Sequence, residues 1–160
     1  MLYFSYGSNM DPAAMAKRCP RSKPLGLAKL MRHRVAIMRE GWLTVVRDAR
    51  STVHGVLWDL ALADVPALDR YEGALYVKAT QPVIAAGGPK RAMVYFGANA
   101  GPGRADAAYI AGVIEAARGW DLPAEAMAQF ARLAAEAGVS VAPPSPPPGV
   151  RPRYQTPFDR

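Results

Sequence analysis

Apolar positions along the chain follow two periods, and the change from one to the other divides the sequence. Leu2-Tyr3-Phe4-Ser5-Tyr6 is a short apolar run that predicts a buried strand over residues 2–6. Residues 25–38 carry Leu25, Leu27, His33, Val35 and Ile37 at odd positions, the alternation of a strand, with Lys29 interrupting it. Gly41 punctuates, and residues 43–46 and 53–60 predict two further strands. The second puts Val56, Trp58 and Leu60 on one face, and Gly55 inside it points to a bulge or a close backbone approach. Residues 75–85 and 90–96 predict a hairpin through Gly87-Gly88-Pro89, and Pro82, lacking an N–H, belongs on an edge or at a bulge.

Helical spacing takes over later. Tyr109, Ile110, Val113, Ile114 and Ala117 form one stripe, ended by Gly119. Asp121-Leu122-Pro123 reads as the cap and first turn of the next helix, which carries Met127, Phe130, Leu133 and Ala134 and stops at Gly138. Two short helices lie earlier: residues 13–18, opened by Asp11-Pro12, and residues 64–71, with Pro66 in the first turn and Glu72-Gly73 as the stop. Five or six strands followed by two helices predict an α+β protein, a small mixed β-barrel with flanking helices. From Pro143 onward proline excludes helix and central strand, so residues 1–140 read as the domain and 141–160 as an extended strap or tail. Tyr154 and Phe158 point to docking of its end on the domain or on a second subunit, the latter making a homodimer.

Composition narrows the function classes. A chain of 160 residues suits one domain with a real core. No apolar run approaches the ~20 residues that span a bilayer, and the N-terminus lacks the pattern of a secretory signal. Cys19 is the single cysteine, so no internal disulfide forms and a cytoplasmic location is expected. The net charge of +7 is dispersed along the chain with no dense basic run, which argues for a solvated cationic face and against a nucleic-acid partner.

The inventory for chemistry is short. His33, His54 and Cys19 do not make a spaced metal cluster, and no phosphate loop, dinucleotide fingerprint or nucleophile elbow is present. Acids, tyrosines and backbone amides remain. In Tyr6-Gly7-Ser8-Asn9-Met10 a strand meets a helix start across a glycine, which is expected to turn sharply where a side chain would strain the chain. Such a junction gathers N–H groups into one space suited to a carboxylate or an oxyanion, although it also serves as a plain strand-to-helix turn. Glu72 ends a helix between Tyr71 and Tyr76, where it is either a desolvated general base or a helix-terminal acid in water. Asp59 and Asp69 read as cap or surface acids, and Trp58, Phe96 and Phe130 as core.

Taken together, Tyr3-Phe4-Ser5-Tyr6-Gly7-Ser8-Asn9-Met10, His54-Gly55-Val56-Leu57-Trp58, Leu68-Asp69-Arg70-Tyr71-Glu72-Gly73 with Tyr76-Val77, and Met93-Val94-Tyr95-Phe96 resemble the gamma-glutamylcyclotransferase-like superfamily. The resemblance covers residues 1 to about 135 and leaves out the proline-rich tail. It implies a small mixed β-barrel with flanking helices and an enzyme that releases 5-oxoproline plus an amino acid or amine from a small gamma-glutamyl substrate. By the same resemblance, Tyr6, Gly7, Ser8, Asn9 and Met10 hold the glutamyl moiety, Glu72 is the acid/base, and Tyr76, Tyr95 and Tyr109 line the pocket. The nucleophile is then the substrate's own α-amine, so the reaction calls for no cofactor, no metal and no Ser or Cys nucleophile. The turn amides would stabilise the oxyanion or bind the α-carboxylate. A non-catalytic binder of a small gamma-glutamyl or carboxylate metabolite is the alternative on this fold. Met10 stands where a leucine is more usual. Only Ala74-Leu75 separates Gly73 from Tyr76, where some relatives carry an insertion, which leaves the leaving group open.

Overall fold

The structure is a computed structural model in which residues 1–141 are described. The proline-rich segment, with the expected docking of Tyr154 and Phe158, lies outside the described residues. The strands are β1 (Leu2–Ser5), β2 (Lys23–Ile37), β3 (Leu43–Asp59), β4 (Tyr76–Ala85) and β5 (Gly88–Gly97). The helices are α1 (Pro12–Arg18), α2 (Val65–Glu72), α3 (Ala107–Gly119) and α4 (Ala124–Glu136). The strands close into a barrel in the order β1-β3-β2-β4-β5. All neighbours are antiparallel except β1 and β5, whose parallel contact at Tyr3 and Met93 seals the barrel. The expected α+β barrel with flanking helices is what the chain forms.

Its core gathers Phe4, Leu30, Val53, Val56, Val83 and Val94 from every strand, each at most 1% exposed. Burying side chains of this kind stabilises by roughly 1.5–3 kcal/mol each. Ile110, Val113 and Phe130 extend the core into α3 and α4. Gly55 shows why mid-strand glycine was needed: a Cβ there would stand 2.1 Å from the Ser5 carbonyl oxygen and 2.9 Å from the Phe4 ring. Pro82 faces Arg91 of β5, while β2 meets β4 only at Ala28 and Lys29, so the prolyl nitrogen leaves no ladder incomplete.

Three expectations are corrected. Residues 43–46 and 53–60 belong to one strand, β3, because the polar stretch between them is a bulge rather than a break. Asp48 holds that bulge, accepting from the Arg50 N–H at 3.0 Å and the Ser51 hydroxyl at 2.8 Å. On β2 the alternation does not run through: Leu25 and Leu27 are exposed while Ala28 and Leu30 are buried, and odd positions turn inward only from His33. The flip falls at Arg32, whose φ of 59° coincides with the register shift between Met31 and His33. Lastly, Asp121 takes a φ of 56° and does not cap α4, which starts after Pro123. Among the described residues no helix is long and apolar enough to cross a membrane.

Candidate functional site

The first loop and the end of α2 meet at one mouth of the barrel. After β1 the Tyr6 ring is buried and its hydroxyl donates to the Tyr95 carbonyl at 2.5 Å. Gly7 leads into a 3₁₀ turn, Ser8–Met10, closed by the Met10 N–H on the Gly7 carbonyl at 3.0 Å. Gly7 turns the chain with a φ of −131° and a ψ of −136°, outside the left-handed region. What it leaves is space, since its Cβ position lies 3.8 Å from the Tyr109 hydroxyl on the cavity wall. No side chain caps the turn's first amides, whereas Asp11 caps α1 by accepting from the Ala13 N–H at 2.9 Å.

Glu72 is the last residue of α2, and Gly73, with a φ of 69°, carries the chain away in the left-handed region. The Glu72 Oε1 accepts a hydrogen bond from Asn9 Nδ2 at 3.0 Å. That same amide nitrogen donates to the Tyr3 hydroxyl at 3.0 Å, and Asn9 Oδ1 accepts from Arg18. Asn9 is 3% exposed, so these three partners fix a buried amide completely. Arg18 stacks over the Tyr71 ring, 3.3 Å from its centroid, and the Tyr71 hydroxyl meets Ser8 Oγ at 2.8 Å. The loop, α1 and α2 are thereby locked together around one carboxyl group.

Burial pushes the Glu72 pKa up to about 7, against the opposing pull of Arg18 and of the Asn9 bond, with Asp69 adding a smaller upward push. The carboxyl therefore exchanges its proton near neutral pH, as a general acid/base requires. The alternative of a helix-terminal acid in water is not what the geometry shows.

Tyrosines complete the wall. Tyr76 donates to the Leu43 carbonyl at 2.6 Å, and the Leu43 N–H donates to the Tyr109 hydroxyl at 3.2 Å, so both backbone groups of Leu43 are held. Tyr95 donates to Asp69 Oδ1 at 2.6 Å, and Lys78 donates to Oδ2 at 2.8 Å. Burial raises the pKa of Tyr3, Tyr6, Tyr76, Tyr95 and Tyr109, keeping all five hydroxyls neutral. Tyr3 and Tyr109 accept bonds in these contacts and so keep a proton to give, whereas Tyr6, Tyr76 and Tyr95 spend theirs on protein acceptors.

These groups enclose a cavity of about 260 Å³. Tyr6, Gly7, Ser8, Asn9, Glu72, Tyr76, Tyr95 and Tyr109 all line it. Met10 does not: its side chain is fully buried, and its carbonyl accepts from the Trp120 indole N–H at 2.7 Å. The sequence reading also missed contributors. Asp69, taken for a cap or surface acid, anchors Tyr95. Tyr3, assigned only to a strand, places its hydroxyl on Asn9. Trp42, beside Gly41 in a turn, lines the cavity, and a tryptophan next to a turn glycine was the one signal for it. Among the described residues no group of three His, Cys, Asp or Glu is placed to hold a metal ion. His33 bonds the Met31 carbonyl and His54 pairs with Glu125, and neither lines the cavity.

The family model described as "Gamma-glutamyl cyclotransferase, AIG2-like" matches residues 3–115. No curated protein matches the sequence. A solved structure named gamma-glutamyl cyclotransferase superposes with a TM-score of 0.73 at 22% identity, covering 81% of this chain and 85% of that one. The human protein loc79017 gives the same figures, 0.73 and 22% over 81% and 85%. YkqA from Bacillus subtilis follows at 0.68 and 21%, over 84% of this chain and 54% of its own. At such identities these likenesses establish the fold.

Proposed function

The chain belongs to the gamma-glutamyl cyclotransferase, AIG2-like family, and we propose that it cyclises gamma-glutamyl compounds, releasing 5-oxoproline and an amino acid or amine. The observation that carries this reading is Glu72: a carboxyl on an aromatic cavity wall, fixed by Asn9 and titrating at about 7.

The chemistry follows from proximity. The substrate's α-amine lies within its own glutamyl chain at the distance needed to close a five-membered lactam. Holding the chain in that conformer supplies several kcal/mol of the barrier, roughly 7–11 in well-oriented intramolecular reactions. The amine is an ammonium at neutral pH and must first lose a proton, which Glu72 takes. The α-nitrogen then bonds to the γ-carbonyl carbon, and the tetrahedral intermediate expels the original amide nitrogen. Glu72 returns that proton to the departing nitrogen and then removes the second proton from the ring nitrogen, passing it to the released amine, which leaves as an ammonium. The lactam is therefore neutral, the carboxylate is regenerated and no water is consumed. The first amides of the Ser8–Met10 turn, which no side chain caps, supply donors for a substrate carboxylate or for the oxyanion.

The test is 5-oxoproline release from gamma-glutamyl amino acids, gamma-glutamylamines and glutathione, by wild type and by Glu72→Gln. Turnover by wild type, lost in a variant that still binds substrate, supports the reading. Silence from a folded wild type across the series favours a non-catalytic binder.

A further inference from the structure

The cavity has a polar floor and an apolar mouth. Tyr3, Tyr6 and Asn9 are buried at its base, whereas Trp42 and Tyr71, which also line it, are 43% and 45% exposed. Half-exposed aromatic rings over an open cavity offer apolar area whose removal from water is favourable, at about 25 cal/mol per Å².

The rings are held rigidly. Trp42 belongs to the turn between β2 and β3, where the Met38 N–H bonds the Trp42 carbonyl at 2.8 Å and the Gly41 N–H bonds the Met38 carbonyl at 2.9 Å. Gly41 takes a φ of 93° there, and its Cβ position would meet the Arg104 carbonyl oxygen at 3.1 Å, so the turn requires glycine. The Trp42 indole stands edge-on to the Tyr109 ring, centroids 5.0 Å apart at 88°. Tyr71 is pinned on its face by Arg18 and at its hydroxyl by Ser8. Leu75 completes the mouth, its carbonyl accepting from the Ala98 N–H at 2.8 Å. Rigid aromatic surface binds at little entropic cost.

The lining of this mouth carries little charge. Among the described residues lining the cavity, Glu72 is the one acid, and no lysine or arginine is present. Arg18 is engaged by Asn9 and Tyr71 and is not part of the wall. A second carboxylate on the leaving group would find no lysine or arginine on the wall, and an ammonium would find only Glu72, which the reaction itself uses, whereas an apolar group finds Trp42, Tyr71 and Leu75.

We infer that the leaving half of the substrate is apolar: the protein takes gamma-glutamyl conjugates of aromatic or branched aliphatic amines, packed against Trp42 and Tyr71. The inference rests on the cyclotransferase reading above. Bond changes are unaltered: the α-nitrogen bonds the γ-carbonyl carbon, the amide C–N bond breaks, and the apolar amine leaves with the proton from Glu72.

The experiment compares kcat/KM of the full chain for gamma-glutamyl-phenethylamine, gamma-glutamyl-methylamine, glutathione and ε-(gamma-glutamyl)-lysine. Phenethylamine should exceed each of the others by about tenfold or more, the scale on which hydrophobic pockets discriminate. Trp42→Ala should cut the phenethylamine-to-methylamine ratio about tenfold, and Trp42→Phe should keep most of it. A ratio that Trp42→Ala leaves unchanged, or charged conjugates turned over as well as the aromatic one, overturns the apolar subsite and leaves the cyclotransferase reading standing. Should folded wild type turn over none of the four and no gamma-glutamyl amino acid, the cyclotransferase reading fails. Calorimetric binding of the same conjugates to Glu72→Gln then decides the subsite alone. Tighter aromatic binding, abolished by adding Trp42→Ala, upholds it, and equal binding throughout overturns it.

Discussion

Asn9 and Glu72, 63 residues apart in the chain, share a hydrogen bond of 3.0 Å between Nδ2 and Oε1. One comes from the turn after the first strand and the other from the end of α2. The bond points a neutral donor at the carboxylate form, which is why it pulls the Glu72 pKa down while burial pushes it up. Asn9 is in turn held by Arg18, so the loop both positions the base and tempers it.

Asn9→Ala removes the donor to Glu72 and Tyr3 and the acceptor for Arg18 at once. Losing a buried, satisfied amide costs about 2–3 kcal/mol, seen as a lower urea midpoint. Activity carries the more specific signature. With a downward influence on Glu72 gone, the limb over which kcat/KM rises with pH, near 7 in wild type, moves to higher pH. A limb that stays in place separates Asn9 from the base.

Asp69→Asn works in the opposite direction. Asp69 raises the Glu72 pKa electrostatically, so neutralising it moves the same limb to lower pH. The asparagine carbonyl still accepts from Tyr95, but Lys78 loses its ion-pair partner, which at an exposed site is worth about 0–1 kcal/mol. Small change in stability with an acid-shifted profile is the expected result. An unshifted or alkaline-shifted profile contradicts it.

The contrast between these residues explains what was legible in the chain. Glu72-Gly73 and Tyr6-Gly7-Ser8-Asn9 announce themselves locally, because helix stops and turns are written in neighbouring residue types. The barrel with its outer helices follows from the two hydrophobic periods. The bond between Asn9 and Glu72 follows from neither, since it joins two local signals through barrel closure. Asp69 is the surface acid its position suggests, but its bond to Tyr95 has no local sign, because Tyr95 lies on β5 and Asp69 on α2. Leu25 and Leu27 face water because the face flips at Arg32, and arginine gives no sign of a positive φ. Trp42 was overlooked because a lone aromatic beside a turn has no periodicity to betray its role.

Gly55→Ala tests the closeness of β1 to β3. Its Cβ would stand 2.1 Å from the Ser5 carbonyl oxygen, which is backbone and cannot swing away, and 2.9 Å from the buried Phe4 ring. The strands must part just before the loop that carries Asn9. A loss of about 3 kcal/mol or more is expected, together with reduced turnover in the protein that still folds. A thermal midpoint within a degree or two of wild type is incompatible with this contact.

Glu72→Gln separates the base from its environment through stability rather than rate. In the folded protein the carboxyl titrates at about 7, against an ordinary 4.5. Below 4.5 both folded and unfolded chains hold the proton, and Glu72 contributes nothing to the difference between them. Between the two values the unfolded chain has released a proton that the folded one retains, so stability falls as pH rises, and above 7 the loss is complete. The shift of 7 less 4.5, about 2.5 pKa units, corresponds to roughly 3 kcal/mol. Glutamine does not titrate and can still accept from Asn9. Relative to wild type, Glu72→Gln therefore gains about 3 kcal/mol between pH 4 and pH 8, measured by urea unfolding at each pH. A difference between the two proteins that stays constant over that range would mean that Glu72 is solvated, and the argument for it as a general base at neutral pH would lose its footing.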